Sequence, residues 1–173
     1  MKTRFSVFAA LLVCALAAPA QAAGPSLDWD PAYFWEPGAP PTNSLPGSEM
    51  QIVGIVSGFG FPLNFLNASD PTKDYTFYIR GLISNGTTFV GPVTMRLYTT
   101  TYTGGTIEVY EGTPRDAVFD PSPTNANVPS TFTNGTLILS GSVSGFYTQT
   151  NNFTTFMTGN AEGQVSWTGG SLF

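Results

Sequence analysis

The residue types that carry most enzyme chemistry are largely missing from this chain. Its 173 residues include no histidine and one cysteine, Cys14. Without histidine, a Ser–His–Asp or Cys–His site cannot be assembled. Zinc sites built mainly from His and Cys are excluded for the same reason. Carboxylates remain, and a pair of them hydrolyses a glycoside at a separation of roughly 5 to 9.5 Å. The close pair on a strand-patterned stretch is Glu108 and Glu111. A spacing of three puts them on opposite faces of a strand, so they do not act together. Glu162 stands alone on a polar face and reads as a solvated strand residue. The residues point to no catalytic group and no cofactor, and the chain is expected not to be an enzyme.

Three pairs of aspartates, Asp28 with Asp30, Asp70 with Asp74 and Asp116 with Asp120, supply oxygen donors in loops. Calcium takes six to eight oxygens, but no twelve-residue calcium loop accompanies these pairs. Asp-Pro at 30–31, 70–71 and 120–121 reads instead as turn initiation, and no metal is expected. The candidate for ligand contact is aromatic: Trp29, Tyr33, Phe34 and Trp35. Flat rings stack on sugars, and Asp28, Asp30 and Glu36 could accept bonds from sugar hydroxyls. The competing reading folds these rings back to cap one open end of a sheet, since large aromatics are usually buried. Arg80 and Arg96 read as members of a solvated sheet face. The glycosylation patterns at Asn67, Asn85, Asn134 and Asn152 read as Asn in turns.

The elements that would position these groups are strands. Residues 24–48 hold six prolines and little periodicity, and read as an extended lead-in outside the core. Six strand segments follow, at about 50–61, 74–84, 87–102, 106–112, 136–148 and 152–168. In the last, Phe153, Met157, Ala161, Val165 and Trp167 share one face. Thr154, Thr158, Asn160, Glu162, Gln164, Ser166 and Thr168 share the other, which is the period of a half-buried strand. Asn85-Gly86 and Asn134-Gly135 read as two-residue turns, because both residue types tolerate positive φ. Thr103-Gly104-Gly105 reads as a three-residue hairpin loop that sets Tyr98 opposite Tyr110 and Thr99 opposite Val109. The stretch 113–130 carries four prolines and reads as a long loop or an edge covering. Nothing after residue 22 is patterned as a helix, so the fold expected is all-β, an antiparallel sandwich or small barrel.

The first 22 residues have a different character. Lys2 and Arg4 precede an apolar run, Phe5 to Ala17, which is shorter than the roughly 20 residues of a membrane-spanning helix. Ala20-Gln21-Ala22 is then a signal-peptidase pattern, with cleavage expected before Ala23. Val13 stands before Cys14 where lipidation would want a small residue, so no lipid anchor is expected. The layout is a signal peptide at 1–22, a lead-in at 23–48 and a β domain at 49–173. Loss of Cys14 with the signal leaves no disulfide, which fits a bacterial secreted, periplasmic or cell-surface protein better than a eukaryotic one. Without Lys2 and Arg4, four basic residues face eleven acidic ones, a net charge of about −7. Such a chain lacks the basic patch needed for nucleic acid or anionic lipid.

Two stretches carry a resemblance. Tyr102-Thr-Gly-Gly-Thr-Ile-Glu-Val-Tyr-Glu111 and Thr131-Phe-Thr-Asn-Gly-Thr-Leu-Ile-Leu-Ser-Gly141 are similar to exported bacterial all-β proteins, many of which carry a C-terminal sorting tail of the Pro-Glu-Pro type. The chain reaches Phe173 without that tail, so anchoring by that route is not expected. The resemblance implies compartment and fold class and no activity. The function expected first is structural, adhesive or surface assembly, with itself or other surface components as partners. A carbohydrate or small apolar ligand module, with a glycan as partner, is the alternative. A small outer-membrane barrel is the third, since residues 153–168 alternate as such a strand would.

The export reading makes a direct prediction. The intact mass of the exported protein should correspond to a chain beginning at Ala23 without lipid, and a lipidated N-terminal cysteine would overturn it.

Overall fold

The computed structural model describes residues 25–36, 43–119, 129–153 and 157–173. The expected export signal, Cys14, Asp120 and Phe156 lie outside the described residues. The protein is all-β, with seven antiparallel strands and a single 3-10 turn at Ser130–Phe132 among those residues. The strands are β1 (Leu27–Trp35), β2 (Glu49–Phe59), β3 (Asp74–Val90), β4 (Met95–Thr103), β5 (Thr106–Gly112), β6 (Thr136–Phe153) and β7 (Met157–Gly169).

β4 and β5 do not pair with each other. They follow one another along the same edge of β3, from Val90↔Leu97 through Ile83↔Thr103 and Arg80↔Thr106 to Asp74↔Gly112. On their other side they lie along β6, from Met95↔Phe153 to Glu111↔Thr136. They are two halves of one interrupted strand, and the sheet is an up-and-down meander. The hairpin expected across Thr103–Gly105 is therefore corrected. Tyr98 pairs with Phe89 and Thr150, and Tyr110 with Thr76 and Leu137.

The reason is a kink that only glycine allows. Gly104 and Gly105 have φ of +72° and +109°, and Gly81 beside them on β3 has +72°. A Cβ on Gly104 would stand 3.2 Å from the Gly81 carbonyl oxygen, and one on Gly105 would stand 2.7 Å from a Leu82 methyl. The kink also switches the inward side. Even-numbered Thr100 and Tyr102 are buried before it, odd-numbered Ile107 and Val109 after it. In place of a loop, the fold sets the apolar residues on both sides of the glycines inward by a change of parity.

Asn85-Gly86 is a second correction. β3 runs straight through it, and both residues lie opposite Thr101, between the Ser84↔Tyr102 and Thr87↔Thr100 pairs. Gly86 has φ +96°, so the left-handed tendency was legible, but it serves a bulge and not a turn. Asn134-Gly135 bends the chain from the 3-10 turn into β6 and joins no hairpin. The single strand expected over 152–168 is divided: β6 extends to Phe153 and β7 starts at Met157. Its inward row survives in part, with Ala161, Val165 and Trp167 packed on the core and Met157 exposed. The lead-in is not wholly outside the sheet, because Leu27–Trp35 forms β1 against β2.

One core cluster takes side chains from β2 through β6, including Val56, Phe77, Leu82, Ile107, Leu139 and Phe146. Leu27 and Ala32 of the first strand and Val165 and Trp167 of the last pack on the same cluster. The Trp167 indole N–H donates to the Pro25 carbonyl at 2.9 Å. The sheet thus curls until its two ends approach, while no ladder joins β1 to β7 among the described residues. The result is an open barrel. Outside it, Val53 and Phe132 form a second small core with Tyr33, Trp35, Tyr78, Ala117 and Phe119. The segment after β5, as far as Phe119, lies over the sheet's outer face there, where the sequence suggests a long loop or an edge covering; residues 120–128 lie outside the described residues. Buried Asp74 fixes it by accepting the N–H groups of Asp116 and Ala117 at 2.9 and 2.8 Å.

Crowding at the kink is testable. Gly105→Ala is expected to lower the unfolding free energy by about 2–4 kcal/mol, from the φ penalty and the collision together. Gly145→Ala, at φ +59° with open space around it, should cost only about 1–2 kcal/mol. Urea denaturation measures both, and equal losses would show that the kink is not crowded.

Candidate functional site

At one end of the barrel the strands are of unequal reach. β1 and β2 are short, while the β3–β4 and β6–β7 pairs continue as a wall. A cleft of about 370 Å³ opens where that wall meets the end of β1. Phe34 and Glu36 form one side and Ala161 of β7 the other, with Met50 and Tyr102 beneath and Thr148 and Thr150 on the wall. The volume falls within the range of small-molecule sites, about 300–1,000 Å³.

The floor is built outward from the bulge in β3. Gly86 at the bulge packs against Pro46, so the chain before β2 can lie close alongside. Ser84 then bonds that segment twice, accepting from Gly47 N at 2.8 Å and donating to Ser48 O at 2.9 Å. Ser44 N donates to Thr87 Oγ1 at 2.8 Å, which buries the Ser44 side chain in the cleft floor. The Ser44 hydroxyl bonds Glu36 Oε1 and lies 2.6 Å from Ser84 Oγ. Tyr102 stands edge-on against Phe146 in the core and donates its hydroxyl to Glu36 Oε2 at 3.2 Å. Burial raises the Tyr102 pKa, and the Glu36 charge adds to the rise, against lowering by bonds with Ser44 and Thr148.

Register extends this surface up the wall. Thr150 pairs with Tyr98, and Tyr98 with Phe89, so these three share the face that lines the cleft. The Phe89 and Tyr98 ring centroids are 5.9 Å apart, and the Arg96 guanidinium lies 4.4 Å from the Phe89 ring centre. Arg96 thus stands on the concave face, against the expectation of a plain solvated one. Asn152, its partner across β6, is likewise in a strand and not in a turn.

The four aromatic candidates are not one surface. Register shifts on either side of Trp29 change which residues of β1 face inward. Trp29 lies tilted against Phe77, with ring centroids 5.1 Å apart, and remains 42% exposed. Tyr33 and Trp35 join the outer core. Phe34, 52% exposed, reaches the cleft. Ser44, Ser84, Tyr102, Thr148 and Thr150 were not singled out from the sequence. The alternating Tyr98, Thr100, Tyr102 was a visible sign, but it needed the β6 register to gain meaning.

The acidic groups have local partners. Asp70 takes the backbone and hydroxyl of Thr72, and those bonds lower its pKa. Asp116 accepts from Asn134. Glu108 accepts from Arg80 and Tyr110, and Glu111 from Lys73 on the other face of β5. Glu162 accepts from Tyr147 and Asn160. Among the described residues no group of three or more acidic side chains could hold a metal.

The tyrosines give a pH signature. Tyr110 is pushed up to about 12, first by burial and then by its bond to Glu108. Tyr75, Tyr78, Tyr102 and Tyr147 are raised as well. A raised phenol favours the folded state below its unfolded pKa, and that contribution is lost as pH climbs from 10 through the folded value. Stability should therefore fall steadily above pH 10, with the last phenolate absorbance step near 12 removed by Tyr110→Phe. A tyrosine titration complete near pH 10 in the folded protein would contradict this.

No protein-family model, curated protein or solved structure matches this chain.

Proposed function

We propose that the chain is an exported, non-catalytic β-domain that acts by contact, assembling with itself or adhering to other surface components outside the cytoplasm. The observation that carries this reading is the outer face of the wall. Thr88, Thr99, Gln149 and Asn160 form one row across four strands, each the register partner of the next. Asn151 with Thr158 and Ser142 with Ser166 make parallel rows. On β7, Thr158, Asn160, Gln164, Ser166 and Thr168 are all exposed, with Glu162 the lone charge among them. Hydroxyl and amide groups in register present donors and acceptors at strand spacing, with little charge to repel a like surface.

Among the described residues β7 pairs with β6 alone, and it contains no Lys, Arg or Pro to block a further strand on its other edge. Backbone groups along that edge can add strand pairing to the contacts of the face. Orientation also separates this reading from a membrane barrel. A spanning barrel turns its apolar row outward to lipid. Here Val165 and Trp167 turn inward to the core and the polar row turns out, which supports the contact reading.

Sedimentation velocity of the mature protein across a wide concentration range tests it. Reversible association is expected, and Gln164→Lys together with Ser166→Lys should abolish it with the fold intact. A mature protein that stays monomeric at the highest concentration and retains no surface partner would defeat the reading.

A further inference from the structure

The mouth cleft holds a feature that assembly through the outer face does not use. Glu36 is a half-buried carboxylate with two hydroxyl donors, Ser44 and Tyr102, and no cationic partner among the described residues. A carboxylate offers about four acceptor positions, so two remain for a ligand. On the same side of the cleft stands the exposed ring of Phe34, and the wall facing them bears the hydroxyls of Thr148 and Thr150. A ligand that satisfies all three needs hydroxyl donors on its edge and an apolar face for the ring. A neutral pyranose has both.

From these contacts we infer that the cleft binds a neutral sugar ring, with Phe34 stacking on it and Glu36 accepting its hydroxyls. The site takes a chain of sugars and not one ring. Phe89 and Tyr98 continue the same face four residues up β4, about 13 Å at strand rise. Phe89 is 55% exposed, with Arg96 over one part of its ring, so the remaining ring surface is open to a second sugar. The first ring would sit between Phe34 and the β6–β7 wall, and the next along the Phe89–Tyr98 platform. Glu36 is held by Ser44 and Tyr102 before any ligand arrives, which lowers the ordering cost of binding.

The test is a titration of the isotope-labelled mature protein with cellotriose, maltotriose and laminaritriose, followed by backbone amide shifts. At least one should perturb Phe34, Tyr102, Thr148 and Thr150 in a saturable way. Phe34→Ala and Glu36→Gln should each weaken that binding about tenfold or more, the loss expected of one stacking contact or one bond to a charged group. Phe89→Ala should weaken the trisaccharide and leave the matching methyl glycoside unchanged. Phe34 and Phe89 are exposed, so their variants should keep the native near-ultraviolet dichroism. Absence of any saturable shift at the cleft, or binding indifferent to both cleft variants, would overturn the inference. Binding of tetramethylammonium in place of the sugars, weakened by salt, would show that the cleft takes a cation and would overturn it equally. Loss of association in the outer-face double variant leaves this result untouched, so the two proposals fail separately.

Discussion

The constraint on which the structure depends is the inward parity of its strands. In a strand the side chain alternates strictly, so an unbroken strand cannot keep an apolar set inside if that set changes from odd to even positions. Here it changes repeatedly. β3 turns Tyr75, Phe77 and Ile79 inward and then Leu82 and Ser84, with Gly81 between. The interrupted strand β4–β5 changes at Gly104–Gly105, and β6 changes between Val143 and Phe146 around Gly145. Positive φ at these glycines turns the following side chains to the other face, and near Gly145 it accompanies an extra β6 residue opposite β7. The same irregularities bend the sheet, and the bend brings Pro25 and Trp167 within a hydrogen bond across the gap between the first and last strands.

Energetically the fold rests on apolar burial. Each fully buried Val, Leu, Ile or Phe contributes about 1.5–3 kcal/mol, and Val53, Val56, Phe77, Leu82, Ile107, Val109, Phe132 and Leu139 are all below 2% exposure. The ion pairs Lys73–Glu111 and Arg80–Glu108 are partly exposed and are worth about 0–1 kcal/mol each. Charge therefore does little to hold the sheet together. Asp74 is the exception, because it is buried and its carboxylate ties the covering segment to the start of β3.

The cleft follows from the same irregularities. The bulge at Asn85–Gly86 makes room for the segment carrying Ser44, and the register shifts in β1 separate Phe34 from Tyr33 and Trp35. Because β3, β4, β6 and β7 outreach β1 and β2, the inner face of the wall emerges from the core as a surface that other molecules can touch. Its outer face carries the Thr, Ser, Asn and Gln rows. The two faces of one wall thus support two separate kinds of contact.

The sequence by itself determined the fold class and most strand positions, because alternation is a local property of the chain. β5 was placed at its observed bounds, Thr106–Gly112, and the polar row of β7 was read correctly from Thr158 to Thr168. It also marked Gly86, Gly104 and Gly105 as special backbone positions. Only the tertiary structure decided what those glycines do. A positive φ is compatible with a turn, a bulge or a kink, and the choice depends on which strand lies alongside. The meeting of Glu36 with Ser44, Tyr102 and Thr148 was invisible for the same reason: it spans strands far apart in sequence, and the register that joins them is fixed by burial of the whole core and not by any local pattern.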